Sequence, residues 1–142
     1  MPRMAIRSDI RLSEPVRALL DGAHPAVLST LQPDGSPQTS VVWVGRDGDD
    51  VLVSSEEGRR KVKNIRADAR VSLLVLDRDD PDRYSEIRGS ATVTEDEGRA
   101  LAVALAEKYE GAEAGREYAE LPPEEVRVTL RITPAKVVGP VR

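Results

Sequence analysis

The chain has 142 residues, a net charge of −4, 39% hydrophobic and 32% charged residues. That balance fits one ordinary globular domain, expected over residues 1–142, and argues against a general nucleic-acid binder. With no Cys and one His it lacks disulfides, a thiolate nucleophile and the paired His or Cys ligands of the common metal sites. No apolar run approaches the length of a membrane span, and Met1 to Ile10 lacks a signal peptide's apolar centre, so the expected location is the cytoplasm.

The chain also holds no Phe, one Trp and three Tyr, so Val, Leu, Ile and Ala must build the core. Leu12, Val16, Leu19 and Leu20 recur at helical spacing. Ser13 stands ready as N-cap before Glu14 and Pro15, and Gly22 is the expected stop. Pro25 to Leu31 reads as a strand, and Pro33-Asp34-Gly35-Ser36 as a turn. The next strand is expected from about Gln38 to Gly45, and Arg46 to Asp50 turns it back into Val51–Ser54. Two successive hairpins make this part of the sheet antiparallel.

Ser55-Glu56-Glu57 is expected to cap a second helix whose buried side is Val62 and Ile65. Arg70 to Asp77 is a strand, and its Leu73-Leu74-Val75-Leu76 run suggests burial on both faces. Tyr84 to Thr94 follows, with Ile87, Gly89, Ala91 and Val93 facing one way. Glu95 to Tyr109 reads as a helix around Leu101 and Leu105, with a second helical piece before Pro122-Pro123. Val126, Val128, Leu130 and Ile132 alternate with Arg127, Thr129 and Arg131 in the last strand. The fold class is mainly β with inserted helices: a six- or seven-stranded antiparallel barrel with peripheral helices.

Phosphate-loop, dinucleotide and nucleophile-elbow motifs are all absent. Acid pairs such as Asp79-Asp80 and Glu124-Glu125 are adjacent, so their side chains diverge, and solvated loop charge is the better reading. The informative stretch is Ser54-Ser55-Glu56-Glu57-Gly58-Arg59-Arg60-Lys61. Cations in a first helical turn oppose the helix dipole unless an anion is expected there. Free N–H groups together with guanidinium and ammonium groups would cradle a phosphate. The competing reading is a basic, solvated face, since Lys63 and Arg66 continue the charge. His24 reads as a surface or capping residue and the tyrosines as packing residues with a polar tip, Tyr118 being placed to close a pocket.

From Arg60-Lys61 through Asn64-Ile65 to Ala69-Arg70-Val71-Ser72-Leu73 the chain resembles the split-barrel flavin-binding family of pyridoxamine 5′-phosphate oxidase. The nearest resemblance is to its small actinobacterial branch of deazaflavin (coenzyme F420)-dependent reductases. Ala26-Val27-Leu28-Ser29-Thr30, Asp34-Gly35, Ser40 to Val44, Arg88-Gly89-Ser90-Ala91 and Thr133 to Val137 carry it over most of the chain.

The resemblance implies a homodimer with cofactor at the subunit interface. It implies that Gln38, Thr39, Ser40 and Val41 run along the cofactor ring, that Ser54 and Ser55 flank its chain, and that Arg59, Arg60 and Lys61 hold its phosphate. Arg88 and Trp43 are candidates for the pocket wall. It further implies hydride transfer between reduced deazaflavin and a conjugated organic substrate, biliverdin-like molecules among them, with no catalytic residue assigned. F420 is favoured over FMN, since Arg59, Arg60, Lys61, Lys63 and Arg66 extend beyond one phosphate and Arg outnumbers Lys 17 to 4 as in GC-rich genomes. Alternatives are an FMN or haem protein of the same fold, or a cofactor-carrying or ligand-sequestering protein without turnover. The pyridoxamine phosphate oxidases' C-terminal substrate segment has no counterpart in this sequence, which argues against their reaction.

Overall fold

A computed structural model describes residues 10–142; the expectation for Met1 to Ile10 lies outside them, save for Ile10 itself. Helix α1 (Glu14–Asp21) starts at Ser13, whose hydroxyl accepts the Val16 N–H at 3.4 Å, and buries Val16, Leu19 and Leu20. The strands are β1 (Ala26–Leu31), β2 (Pro37–Val42), β3 (Val44–Asp47), β4 (Asp50–Glu56), β5 (Arg70–Leu76), β6 (Tyr84–Glu95) and β7 (Arg127–Val138). Helix α2 (Arg60–Ala67) joins β4 to β5, while α3 (Ala100–Glu110) and α4 (Ala112–Ala119) lie between β6 and β7.

All seven strands form one sheet in the order β2–β1–β5–β6–β7–β4–β3, with each neighbouring pair antiparallel. The two edge strands, β2 and β3, are consecutive in the chain and only Trp43 separates them. One residue spans only about 3.5 Å, so the sheet must curl until its edges nearly meet. The edges are not hydrogen-bonded to each other, and the result is a split half-barrel.

This closure explains why the strand expected over Gln38–Gly45 is two strands. Val42 pairs with Ala26 of β1, and Val44 pairs with Val53 of β4. These partners belong to opposite ends of the sheet, and no straight strand serves both. The chain therefore turns at Trp43.

The core fills the concave side with Leu28, Val51, Val53, Leu73, Val75, Ile87, Leu130 and Ile132, together with Val16 and Leu20 of α1 and Val62 and Ile65 of α2. The hydrophobic effect acting on these aliphatic chains holds the barrel together, at about 1.5–3 kcal/mol for each fully buried side chain.

Three further expectations need correction. The segment Ser55–Glu57 does not cap α2. Strand β4 runs on to Glu56, paired with Arg127, and the N-cap is Arg59 without a side-chain bond. Glu57 instead accepts two N–H groups of Arg66 near the far end of the helix, so ladder pairing and an ion pair displaced the cap. In β5 burial alternates, with Leu74 and Leu76 only partly covered. The run is apolar on both faces, but one points away from the core. The helix expected from Glu95 begins at Ala100, because β6 pairs with β7 through Glu95. The Asp96 carboxylate caps it, accepting the N–H groups of Leu101 and Ala102 at 3.0 and 2.9 Å. Ala102, Leu105 and Ala106 form its buried side, not Leu101.

Candidate functional site

Beyond β4, Gly58 takes a φ of +93°, a conformation that costs glycine little, and turns the chain into α2. The first N–H groups of a helix have no partner within it. Those of Arg60 and Lys61 have no backbone acceptor among the described residues. Lys61 points to a cavity of about 180 Å³ between α2, β4, β7 and α4, lined by Val41, Val42, Trp43, Ser54, Lys61, Ala102, Tyr118 and Arg127. It forms no ion pair among the described residues. Burial lowers its pKa, and the charges of Arg59 and Arg127 lower it further. A half-buried cation whose charged neighbours share its sign favours an anion.

Arg127 enters from the first position of β7. One terminal N–H donates to Ser54 Oγ at 2.9 Å, and the guanidinium stacks 5.5 Å from the Tyr118 ring centre. Its Nε is buried without an acceptor. The ladder continues through the rings. Tyr118 meets Trp43 at 5.8 Å with a 53° tilt, and Trp43 stacks on Tyr109 at 5.4 Å and 10°. Three of the chain's four aromatic side chains therefore stand in one row beside the cavity.

Helix α3 anchors this row. The Tyr109 hydroxyl donates to the His24 carbonyl at 2.7 Å and accepts the Val44 N–H at 3.2 Å. Lys108 Nζ donates to the carbonyls of Leu20 and Val44, at 2.6 and 2.5 Å, and burial lowers its pKa to about 8. A second cavity of about 380 Å³ opens across Val41, Val42 and Trp43 from the first, bounded by Pro25, Arg78 and Tyr109.

Of the residues singled out from the sequence, Val41, Ser54 and Lys61 meet at the small cavity together with Trp43 and Tyr118. Arg60 is exposed beside it on α2 without a carboxylate partner among the described residues, whereas Arg59 pairs with Glu56 at 3.3 Å. Ser55 is buried and donates to the Glu56 carbonyl.

Gln38 and Ser40 lie on one side of β2 and Thr39 on the other. Gln38 Oε1 accepts from Thr30 Oγ1 at 2.7 Å, and that oxygen accepts from Asn64 of α2 at 3.0 Å, which ties the helix to the β1–β2 hairpin. Ser40 Oγ is buried without a partner. Thr39 Oγ1 lies 3.4 Å from Ser29 Oγ.

Arg88 lines a different cleft, of about 580 Å³, on β1, β5 and β6, and is held by Glu86. His24 Nδ1 accepts the Arg78 N–H at 3.2 Å, a capping contact. Arg127 escaped the sequence reading because it looked like one more polar position in an alternating strand. Its link to Ser54 spans 73 residues, and no local pattern announces it. No three His, Asp or Glu residues gather as metal ligands, and no helix is long and apolar enough to cross a membrane, among the described residues.

The sequence profile of the pyridoxamine 5′-phosphate oxidase family matches residues 12–139. A solved structure named F420 reductase superposes with a TM-score of 0.75 at 30% identity, covering 89% of this chain and 98% of that one. A conserved hypothetical protein of Mycobacterium tuberculosis, Rv2991, gives 0.69 at 25% identity, covering 94% and 88%. General stress protein 26 of Bacillus anthracis shares the fold, with a TM-score of 0.64 at 24% identity, covering 87% and 89%.

Proposed function

Because the chain belongs to the pyridoxamine 5′-phosphate oxidase family, we propose that it is an oxidoreductase that binds coenzyme F420 and passes a hydride between it and a small conjugated organic molecule. The observation that carries this reading is Lys61: a half-buried cation without a carboxylate partner among the described residues, at the mouth of a helix and beside a row of aromatic rings. The donor set suits an anionic, ring-bearing cofactor. The likeness to a structure named F420 reductase supports the deazaflavin over FMN. The cation strip gives narrower support than the sequence suggested, since Arg59 and Arg66 are engaged by Glu56 and Glu57. Arg60, Lys61 and Lys63 remain without ion pairs among the described residues for an anion longer than one phosphate.

When bound, the deazaflavin supplies the hydride; the protein's share is binding and orientation. Lys61 and Arg60 hold the phosphate by charge, and the Ser54 hydroxyl adds a donor. The backbone from Gln38 to Val41 offers polar groups along the ring edge, and Ser55 stands behind Ser54. Trp43, fixed by Tyr109 and Tyr118, supplies a flat wall that excludes water from one side. The 380 Å³ cavity across Trp43 sits at the lower end of ligand-pocket sizes and suits a small planar acceptor.

A second copy completes the site in this reading. Val41, on edge strand β2, is 78% exposed beside the cavity, and such an apolar group is suited to cover by a partner. Arg88 belongs to the wall facing that copy.

Parallel titration of the purified chain with F420 and FMN, followed by absorbance and fluorescence, tests the assignment. The expected result is tighter binding of F420 at one site per chain, on a particle that light scattering sizes as a dimer. Tighter FMN binding transfers the reading to the flavin, and failure of both cofactors to bind overturns it. Binding without oxidation of reduced cofactor by any conjugated acceptor would make the chain a carrier.

A further inference from the structure

We propose that Arg127 of β7 is the second arm of an oxyanion clamp, and that with Lys61 and Ser54 it takes a single phosphoryl group into the 180 Å³ cavity. This rests on the reading above that the chain holds an anionic cofactor. It narrows that reading to which atoms enter and which side chain meets them.

Three features of the cavity converge. First, its two cationic side chains come from separate elements, α2 and β7, and neither has a carboxylate partner among the described residues. Their charges oppose one another until an anion lies between them. Second, Arg127 is only half satisfied. One terminal nitrogen donates to Ser54 and the guanidinium face rests on Tyr118, while Nε is buried without an acceptor. A buried donor left unpaired is unfavourable, and the guanidinium's remaining terminal N–H groups are the ones a phosphoryl oxygen in the cavity would meet. Guanidinium suits phosphate because its N–H groups form a planar fork. Ser54 Oγ accepts from Arg127, which leaves the hydroxyl proton free to donate to the same oxyanion.

Third, the size fits. About 180 Å³ has room for a phosphoryl group and the first atoms of its chain. Tyr118 holds the guanidinium plane and so limits the freedom lost when a ligand arrives.

The test uses inorganic phosphate as probe on the full chain, by calorimetry, with Arg127→Gln, Arg127→Lys and Lys61→Gln, and with Arg70→Gln, whose side chain is held by Asp68 in the other cleft, as control. The expected result is a loss of at least about tenfold in phosphate affinity for Arg127→Gln and Lys61→Gln. A smaller loss is expected for Arg127→Lys, which keeps the charge without the fork, and no loss beyond twofold for the control. In the wild type phosphate should raise the Lys61 pKa, read by NMR of its side chain, and in Arg127→Gln it should raise it less.

Unchanged phosphate affinity in a folded Arg127→Gln protein would overturn the clamp and leave Arg127 as a strut between Ser54 and Tyr118. Should Arg127→Gln fail to fold, Arg127→Lys carries the decision: wild-type affinity with a wild-type Lys61 response overturns the clamp's fork. Failure of the cofactor assignment is separate. If neither F420 nor FMN binds while phosphate does so in an Arg127-dependent manner, the clamp stands and the redox reading falls.

Discussion

Two clefts of this molecule each carry two cations, and they differ in what surrounds those cations. The larger, of about 580 Å³ on β1, β5 and β6, holds Arg70 and Arg88. Arg70 makes two bonds to Asp68, at 3.0 and 2.7 Å, and holds its carboxyl at a pKa of about 2. Arg88 makes two to Glu86, at 2.9 and 3.1 Å, and Glu86 also accepts from Ser72. The smaller cavity holds Lys61 and Arg127 with no carboxylate on either among the described residues. Size alone would favour the first cleft. Charge balance favours the second, because a cation already paired gains little from a ligand anion, whereas an unpaired half-buried one gains both a partner and relief from like charge.

The sharpest way to break the larger cleft without touching the smaller is at Gly89. There the β6–β7 register shifts because β7 carries the extra residue Ala135 between the partners of Arg88 and Gly89, and an added Cβ on Gly89 would lie 2.1 Å from the Thr133 carbonyl oxygen. Backbone cannot yield as a side-chain tip does. Gly89→Ala is expected to cost about 3 kcal/mol or more, seen as a lowered urea midpoint, while phosphate still binds the folded fraction. A wild-type midpoint would mean that the two strands slide apart freely.

A direct comparison of the clefts comes next. Lys61→Ala should weaken cofactor binding by about 1.5–3 kcal/mol, ten- to a hundredfold, with the melt of the cofactor-free chain nearly unchanged. Arg70→Ala, in the larger cleft and held by Asp68, should change affinity by about threefold or less. Equal losses in a titration would place the cofactor across both clefts.

The smallest effect concerns the clasp behind the aromatic row. The Lys108 pKa of about 8 lies below the ordinary 10.5 of an unfolded chain. The unfolded state therefore binds more protons between about pH 8 and 10.5, and stability should rise across that window. Below pH 8 the cost of holding the buried charge is present in full. The urea midpoint of the wild type should rise relative to that of Lys108→Met from pH 7 to 10, and NMR should show Lys108 titrating near 8. A midpoint difference independent of pH would remove the burial account.

Much of this architecture was legible beforehand because it is local. The Asp34-Gly35 turn, the alternation of β7 and the apolar stripe of α1 each rest on residues within a few positions of one another, and each appears where expected. The cation-rich start of α2 was legible for the same reason, although its cap was misread once the β4–β7 ladder claimed Ser55 and Glu56. The break at Trp43 was not legible, since every residue from Gln38 to Gly45 suits a strand and only closure of the sheet forbids a single one.

What the amino-acid order determined by itself is the set of elements and the cationic cluster, because periodicity and capping act over short stretches. What only the tertiary structure decided is that Lys61 and Arg127 share one cavity. Arg59 and Arg88 pair with carboxylates two or three positions away, whereas Lys61 meets Arg127 from 66 positions further along the chain. That proximity exists only after the sheet has curled and brought β7 alongside β4.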